Sequence, residues 1–240
     1  MDRSANTATG SAATPEARLP QVDVYGAVHK GIRYALLDLL RRMGTVAPSD
    51  SSGVDMVLDD LEGAFYLCAA HSAQEERYVH AVIEAESPGA LGRFDAAHAG
   101  LGDILEVLRT ATNDLQCAEP DARPGLFRLL YLRYSSFVAQ ALHHMSEEEL
   151  EVQALLERSF PEEKIRAIQL SLLGSIGPEE LMVFLRVMVP AATPTERVSL
   201  LAQPKAALSR EAFEAIMLTV RRCLNLAEAR DLERRLEQLA

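Results

Sequence analysis

The lengths of the helix-period segments in this chain exclude most folds at once. Tyr25, Val28, Ile32, Leu36 and Leu39 recur at three- and four-residue spacing up to Gly44, which predicts a first helix. The connector TVAPSDSSG (45–53) is a loop signal. A second helix is expected from about Val54 to Glu86, ended by Ser87-Pro88-Gly89, and a third from about Leu91 to Thr112. A fourth is expected from about Gly125 to Arg158, after a loop holding Pro120 and Pro124. At 1.5 Å per residue these segments are about 27 to 50 Å long. Long helices with short connectors favour an all-α fold, an up-down-up-down four-helix bundle.

Domain organisation follows from the breaks. Residues 1–22, rich in Ser, Ala, Thr and Pro, are expected to form a disordered N-terminal tail. The bundle is assigned to 23–158 and a C-terminal helical extension, packed on the bundle, to 159–240. In the extension, Ser159 to Glu162 has the spacing of a capping box, Gly177-Pro178 opens another helix, and Pro190 is expected to end it. Shorter helices are expected near 195–202, 210–223 and 226–239.

Composition narrows the function classes. Aromatics make up 5% of the chain and Trp is absent, which favours helix over sheet. The formal net charge of −11 makes nucleic acid or an anionic membrane a poor partner. Cys68, Cys117 and Cys223 are far apart and form no CxxC pair, which argues against a disulfide framework or a structural zinc site and fits a reducing cytoplasm. No secretory h-region and no long apolar run is found.

The histidines carry the chemistry. All six fall in the bundle region. His29 lies on or beside the Val28–Ile32–Leu36 stripe of the first helix. The second helix carries His71 and Glu75 at i, i+4, about 40° apart on one face. The third carries His98, and the fourth His144 and Glu148, again at i, i+4. Each helix thus supplies an imidazole, and alternate helices add a carboxylate one turn later. Such a set suits a pair of ions such as iron or manganese. A carboxylate one turn from an imidazole can bridge two ions whose other ligands come from opposite helices. Taken singly, each residue has a blander reading: a packed histidine, an exposed i, i+4 pair, or a solvated run in Glu147, Glu148 and Glu149. His80, nine residues from His71, falls on the opposite face of an ideal helix and reads as a surface or supporting residue. His143 has a poorer angle to Glu148 than His144 has, although helix irregularity would exchange their roles.

Taken in order, VHKGIR (28–33), AHSAQEERYVHAVIE (70–84), RFDAAH (93–98) and HHMSEEELEVQALL (143–156) resemble the motifs of hemerythrin-like HHE cation-binding domains. The stretch that follows also resembles the tail after these domains in the plant hemerythrin–RING ubiquitin ligases, but it has no RING cysteines, so ligase activity does not carry over. The resemblance implies His29, His71, Glu75, His98, His144 and Glu148 as ligands of two iron ions, with manganese or zinc as substitutes and the two glutamates as bridges. This is the ligand set of iron-sensing members. The oxygen carriers have a further helix-3 histidine where this chain has Phe94, and two prolines usual after the carboxylate motifs are replaced by Ala81 and Gln153. The first departure leaves one iron position open; the second is expected only to lengthen the helices.

The function expected is a non-haem di-iron protein that binds or senses dioxygen or a related small oxidant. The alternative is a di-iron enzyme, peroxide-reducing or an oxygen-dependent oxidase, that uses the open position. A tyrosine beside the metals, from Tyr25, Tyr66, Tyr78, Tyr131 or Tyr134, favours redox chemistry. A metal-free scaffold is the third class. The extension is the surface expected to meet a protein partner or a second copy of the chain.

Overall fold

The computed structural model describes residues 20–239, so most of the tail assigned to 1–22 lies outside the described residues. Val22 is an exception: it is buried and belongs to the core. Among the described residues all regular structure is helical. The helices are α1 (Gly26–Thr45), α2 (Ser51–Glu75), α3 (Ala81–Glu86), α4 (Gly92–Gln116), α5 (Arg123–Glu147), α6 (Gln153–Ser159), α7 (Glu162–Ser175), α8 (Pro178–Ala191), α9 (Pro194–Ala207), α10 (Arg210–Cys223) and α11 (Leu226–Glu237). Short π-helical segments, Glu76–His80 and Glu148–Val152, join α2 to α3 and α5 to α6 without a break. The helices therefore do run on past Ala81 and Gln153, but they change winding as they do so.

Local chemistry sets several of the starts. The Asp23 carboxylate accepts from the backbone N–H groups of Tyr25 and Gly26 just ahead of α1, and Asp50 accepts from Gly53 N–H to cap α2. Capping boxes form at Thr193 with Glu196 and at Asn225 with Glu228. The spacing at Ser159 to Glu162 makes no such box: Ser159 is still the last residue of α6, and α7 starts after Pro161 with no side-chain cap. Pro190 sits inside the end of α8 rather than after it, and Pro204 likewise lies within α9. Each of these prolines forfeits the bond its N–H would have made to the carbonyl four residues earlier.

α1 packs on α2 and α5, and α4 packs on α2 and α5. The contacts fix directions. His29 near the start of α1 meets His71 near the end of α2, while Arg42 near the end of α1 pairs with Asp60 early in α2. Likewise His98, early in α4, meets His144, late in α5.

Two apolar clusters stack along these helices, with polar residues between them. The larger contains Ile32, Leu36, Leu58, Leu61, Phe65, Leu67, Leu108, Tyr134, Phe137 and Met145. The smaller contains Val22, Tyr25, Val79, Ile83, Leu91, Phe94, Val152 and Leu156. These helices pass from one cluster to the other through a histidine: Tyr25, at the N-cap of α1, then His29 and Ile32, and Phe94, His98, Leu105 on α4.

A third cluster, including Leu185, Val189, Leu201, Ile216, Val220, Leu232 and Leu236, holds α8 to α11 together. α8 also lies along α1 and sends Phe184 into the larger cluster. The approach is close. A Cβ on Gly31 would stand 2.9 Å from Met188 Cγ and 3.0 Å from the Met188 backbone. No helix among the described residues is long and apolar enough to cross a membrane.

Candidate metal centre

Between the two clusters, all six sequence-assigned residues come together. His29, His71, Glu75, His98, His144 and Glu148 are all buried. They form two triads, His29–His71–Glu75 and His98–His144–Glu148, and within each triad the ligand atoms lie within 4.8 Å of one another.

The carboxylates link the triads. Glu75 Oε1 is 3.0 Å from His71 Nε2 and 3.4 Å from His29 Nε2, while its Oε2 is 3.4 Å from His98 Nε2. Glu148 mirrors this: Oε1 is 3.2 Å from the Nε2 atoms of both His98 and His144, and Oε2 is 3.5 Å from His29 Nε2. Each glutamate thus turns one oxygen toward each pair of imidazoles.

These short separations are only partly hydrogen bonds. Among the described residues, Glu75 Oε1, Glu148 Oε2, His80 Nε2 and both ring nitrogens of His144 are buried without a hydrogen-bond partner. Nitrogen and oxygen atoms that approach to about 3 Å without a shared proton have lone pairs converging on common points. Orphaned buried polar atoms are costly and rare in folded proteins. A cation at each point would satisfy them, so the residues fit a pair of metal ions. The donors, imidazole and carboxylate, are those of iron, manganese and zinc sites.

Charge tells the same story. Burial draws the His29 pKa down, but the carboxylates of Glu149, Glu75 and Glu148 outweigh it and raise it to about 9. His98 is likewise lowered by burial and raised more strongly, by Glu148 and Glu75, to about 10. Burial pushes Glu75 up, yet His71, His29 and His98 hold it well below the usual carboxylate range. The paired carboxylates therefore demand positive charge among the imidazoles, from protons or from metal.

The acidic run of the fourth helix divides three ways. Glu148 is a site residue. Glu149 accepts from His29 Nδ1 at 2.9 Å and is held in turn by Arg33. Glu147 stays at the surface, with Arg93 and His143 as neighbours. α5 remains α-helical through Glu147, so His144 keeps its i, i+4 relation to Glu148, and the His143 side chain is 76% exposed.

Sequence reasoning left His80 between a surface and a supporting position. It is buried, not on the surface: its Nδ1 is 2.9 Å from Asp95 Oδ1 and its ring stacks on that of His98. The π segment explains this. Bonds from i to i+5 wind each residue through less than 100°, so His80 lags behind its ideal position and swings toward α4. The carboxylates that brace the imidazoles, Glu149, Glu76 and Asp95, were also not singled out; Glu76 is 3.2 Å from His98 Nδ1. A pattern of acids beside each motif residue was the available signal.

Of the tyrosines, Tyr25 is at the centre. Its ring lies 5.2 Å from that of His29, and its buried hydroxyl has no hydrogen-bond partner among the described residues. Burial, then Glu75 and Glu148, raise its pKa well above the ordinary phenol value. Tyr134 instead donates to Leu36 O inside the larger cluster.

A cavity of about 300 Å³ touches the centre at His71, Glu75, His98, His144 and Glu148. Its walls are Ile32, Leu105, Phe137 and Met145, and its rim is formed by Ala73 and Glu76 of the second helix with Asp95, Ala99 and Gly102 of α4. The rim residues are exposed, so the cavity reaches the surface between these helices. Phe94 does not line it; it packs in the smaller cluster, its ring 6.3 Å from that of His144.

Compared with protein-family models, curated proteins and solved structures, the chain matches none.

Proposed function

We propose that the chain is a hemerythrin-like di-iron protein, built on an up-down-up-down four-helix bundle, that binds or senses dioxygen or a related small oxidant. The observation that supports this reading is the double bridge: Glu75 and Glu148 each present one oxygen to each imidazole pair. A single-ion site has no use for that arrangement. Iron, when bound, supplies the electrons that oxygen or peroxide chemistry requires.

The protein's own part is to place, neutralise and seal. His29 and His71 face one position, His98 and His144 the other, and Glu149 and Glu76 fix the tautomers of His29 and His98. The apolar clusters above and below exclude water, and the cavity between the second helix and α4 provides entry. Neutral imidazoles and two carboxylates offset half the charge of two divalent ions, which favours the reduced pair over a more highly charged one.

The enzyme reading draws on the cavity. Its volume of about 300 Å³ far exceeds what a diatomic needs, a liquid water's share being about 30 Å³. A peroxide or a small apolar organic substrate fits it. One experiment addresses both. Anaerobic loading with ferrous iron should give two equivalents per chain, and admission of air should produce new near-ultraviolet and visible absorption. Reversal of that absorption on deoxygenation supports a carrier or sensor, and steady consumption of peroxide supports the enzyme. Failure to take up iron above one equivalent would refute both.

A further inference from the structure

His80 carries one feature of a ligand that the sequence did not show: a buried ring nitrogen without a hydrogen-bond partner among the described residues. A histidine that merely fills a core satisfies both ring nitrogens. His80 satisfies one. Its Nδ1 is 2.9 Å from Asp95 Oδ1, which sets Nδ1 as the donor and leaves the lone pair on Nε2. That Nε2 is buried and has no hydrogen-bond partner among the described residues. Two of the four assigned imidazoles use the same brace: His29 Nδ1 on Glu149 and His98 Nδ1 on Glu76. A metal-bound imidazole nearly always donates its other ring N–H to a carboxylate, carbonyl or water.

The ring of His80 also lies next to that of an assigned ligand. It lies 4° from parallel to the ring of His98, with centroids 5.2 Å apart. Both rings have Nδ1 on an acidic residue that lines the cavity. The π segment Glu76–His80 begins directly after Glu75 and ends on His80 itself. Helix irregularities of this kind concentrate at functional sites. Here the extra backbone residue brings one more imidazole to the level of His98.

We infer that His80 is a fifth imidazole of the metal centre, binding through Nε2 the ion held by His98, His144 and Glu148. The inference rests on the di-metal reading above and adds an asymmetry to it. The His98–His144 ion gains a third nitrogen, while the His29–His71 ion keeps two.

Cobalt(II) tests this on the intact chain. A cobalt-bound imidazole whose other nitrogen carries a proton gives one strongly shifted, exchangeable proton resonance. The cobalt-loaded wild type should show five such resonances, one for each buried histidine, His29, His71, His80, His98 and His144. His80→Gln should remove one and weaken cobalt binding by at least about tenfold, as loss of a site residue does. His143→Ala, an exposed position, should remove none. Four resonances in a wild type that holds two cobalt ions would overturn the inference while leaving the di-metal reading intact. A wild type that binds no cobalt would overturn both. If His80→Gln does not fold, the wild-type count alone decides.

Discussion

Metal uptake should release two protons across a pH range where ordinary histidines release none. His29 and His98 are raised to about 9 and about 10 by the carboxylates around them, so both are protonated at neutral pH in the metal-free protein. Each must lose that proton to bind through Nε2. The apparent affinity should therefore rise about a hundredfold per pH unit between about pH 7 and 8.5, equivalent to about 2.7 kcal/mol per unit. An imidazole at its ordinary pKa of about 6.5 would give a flat curve over most of that range. The sign for stability is opposite in the metal-free form. A histidine with a raised folded pKa contributes stability that is complete below about 6.5 and lost as pH rises through its folded value. The metal-free protein should thus weaken from about pH 7 upward, most of the loss being complete past the values of His29 and His98, while the loaded protein does not. Zinc competition against a chelator at a series of pH values measures the slope. Calorimetry in buffers of different ionisation enthalpy counts the protons at pH 7.5. A slope near zero, with no proton released, would refute the electrostatic account of the site.

Removing the metal should cost much of the fold's stability: two ions held about a hundredfold above their dissociation constants contribute about 5 kcal/mol, and a chain of this size should then melt about 10 to 20 °C lower after chelation. Coincident melting curves would place the metals outside the buried layer. Glu75→Ala or Glu148→Ala should lose both ions together, because each carboxylate faces both imidazole pairs; retention of one full equivalent, measured by elemental analysis, would contradict the bridging role. Gly31→Ala should lower the melting temperature by several degrees, because its Cβ would meet the Met188 backbone at 3.0 Å and overpacking of this kind costs about 1 to 3 kcal/mol. An unchanged melting curve for that variant would mean that α8 does not hold this close contact with α1.

Helical periodicity was enough to locate the helices that carry the site, because the apolar stripes of α1, α2, α4 and α5 face one shared core. One imidazole on each of them, with acids one turn later on alternate helices, gave the six residues that the structure brings together. His80 was not legible. Its assignment to the far face assumed 100° per residue, and the π segment Glu76–His80 breaks that assumption. Nothing in the local residue types ERYVH announces a change in winding; it depends on what the helix packs against. The same limit hid the roles of Glu149 and Asp95, whose partners lie on other helices. The capping boxes of α9 and α11 were present as Thr-x-x-Glu and Asn-x-x-Glu spacings, whereas the similar spacing at Ser159 was not used, because α6 still occupied that residue.

The central claim is two metal ions at two positions bridged by two carboxylates. Anomalous scattering at the iron edge, from crystals of protein loaded with ferrous iron, tests it most directly. Two peaks are expected in the layer between the apolar clusters, one against His29 and His71 and the other against His98 and His144, with Glu75 and Glu148 spanning both. A single peak, or peaks that leave either glutamate unengaged, would contradict the account.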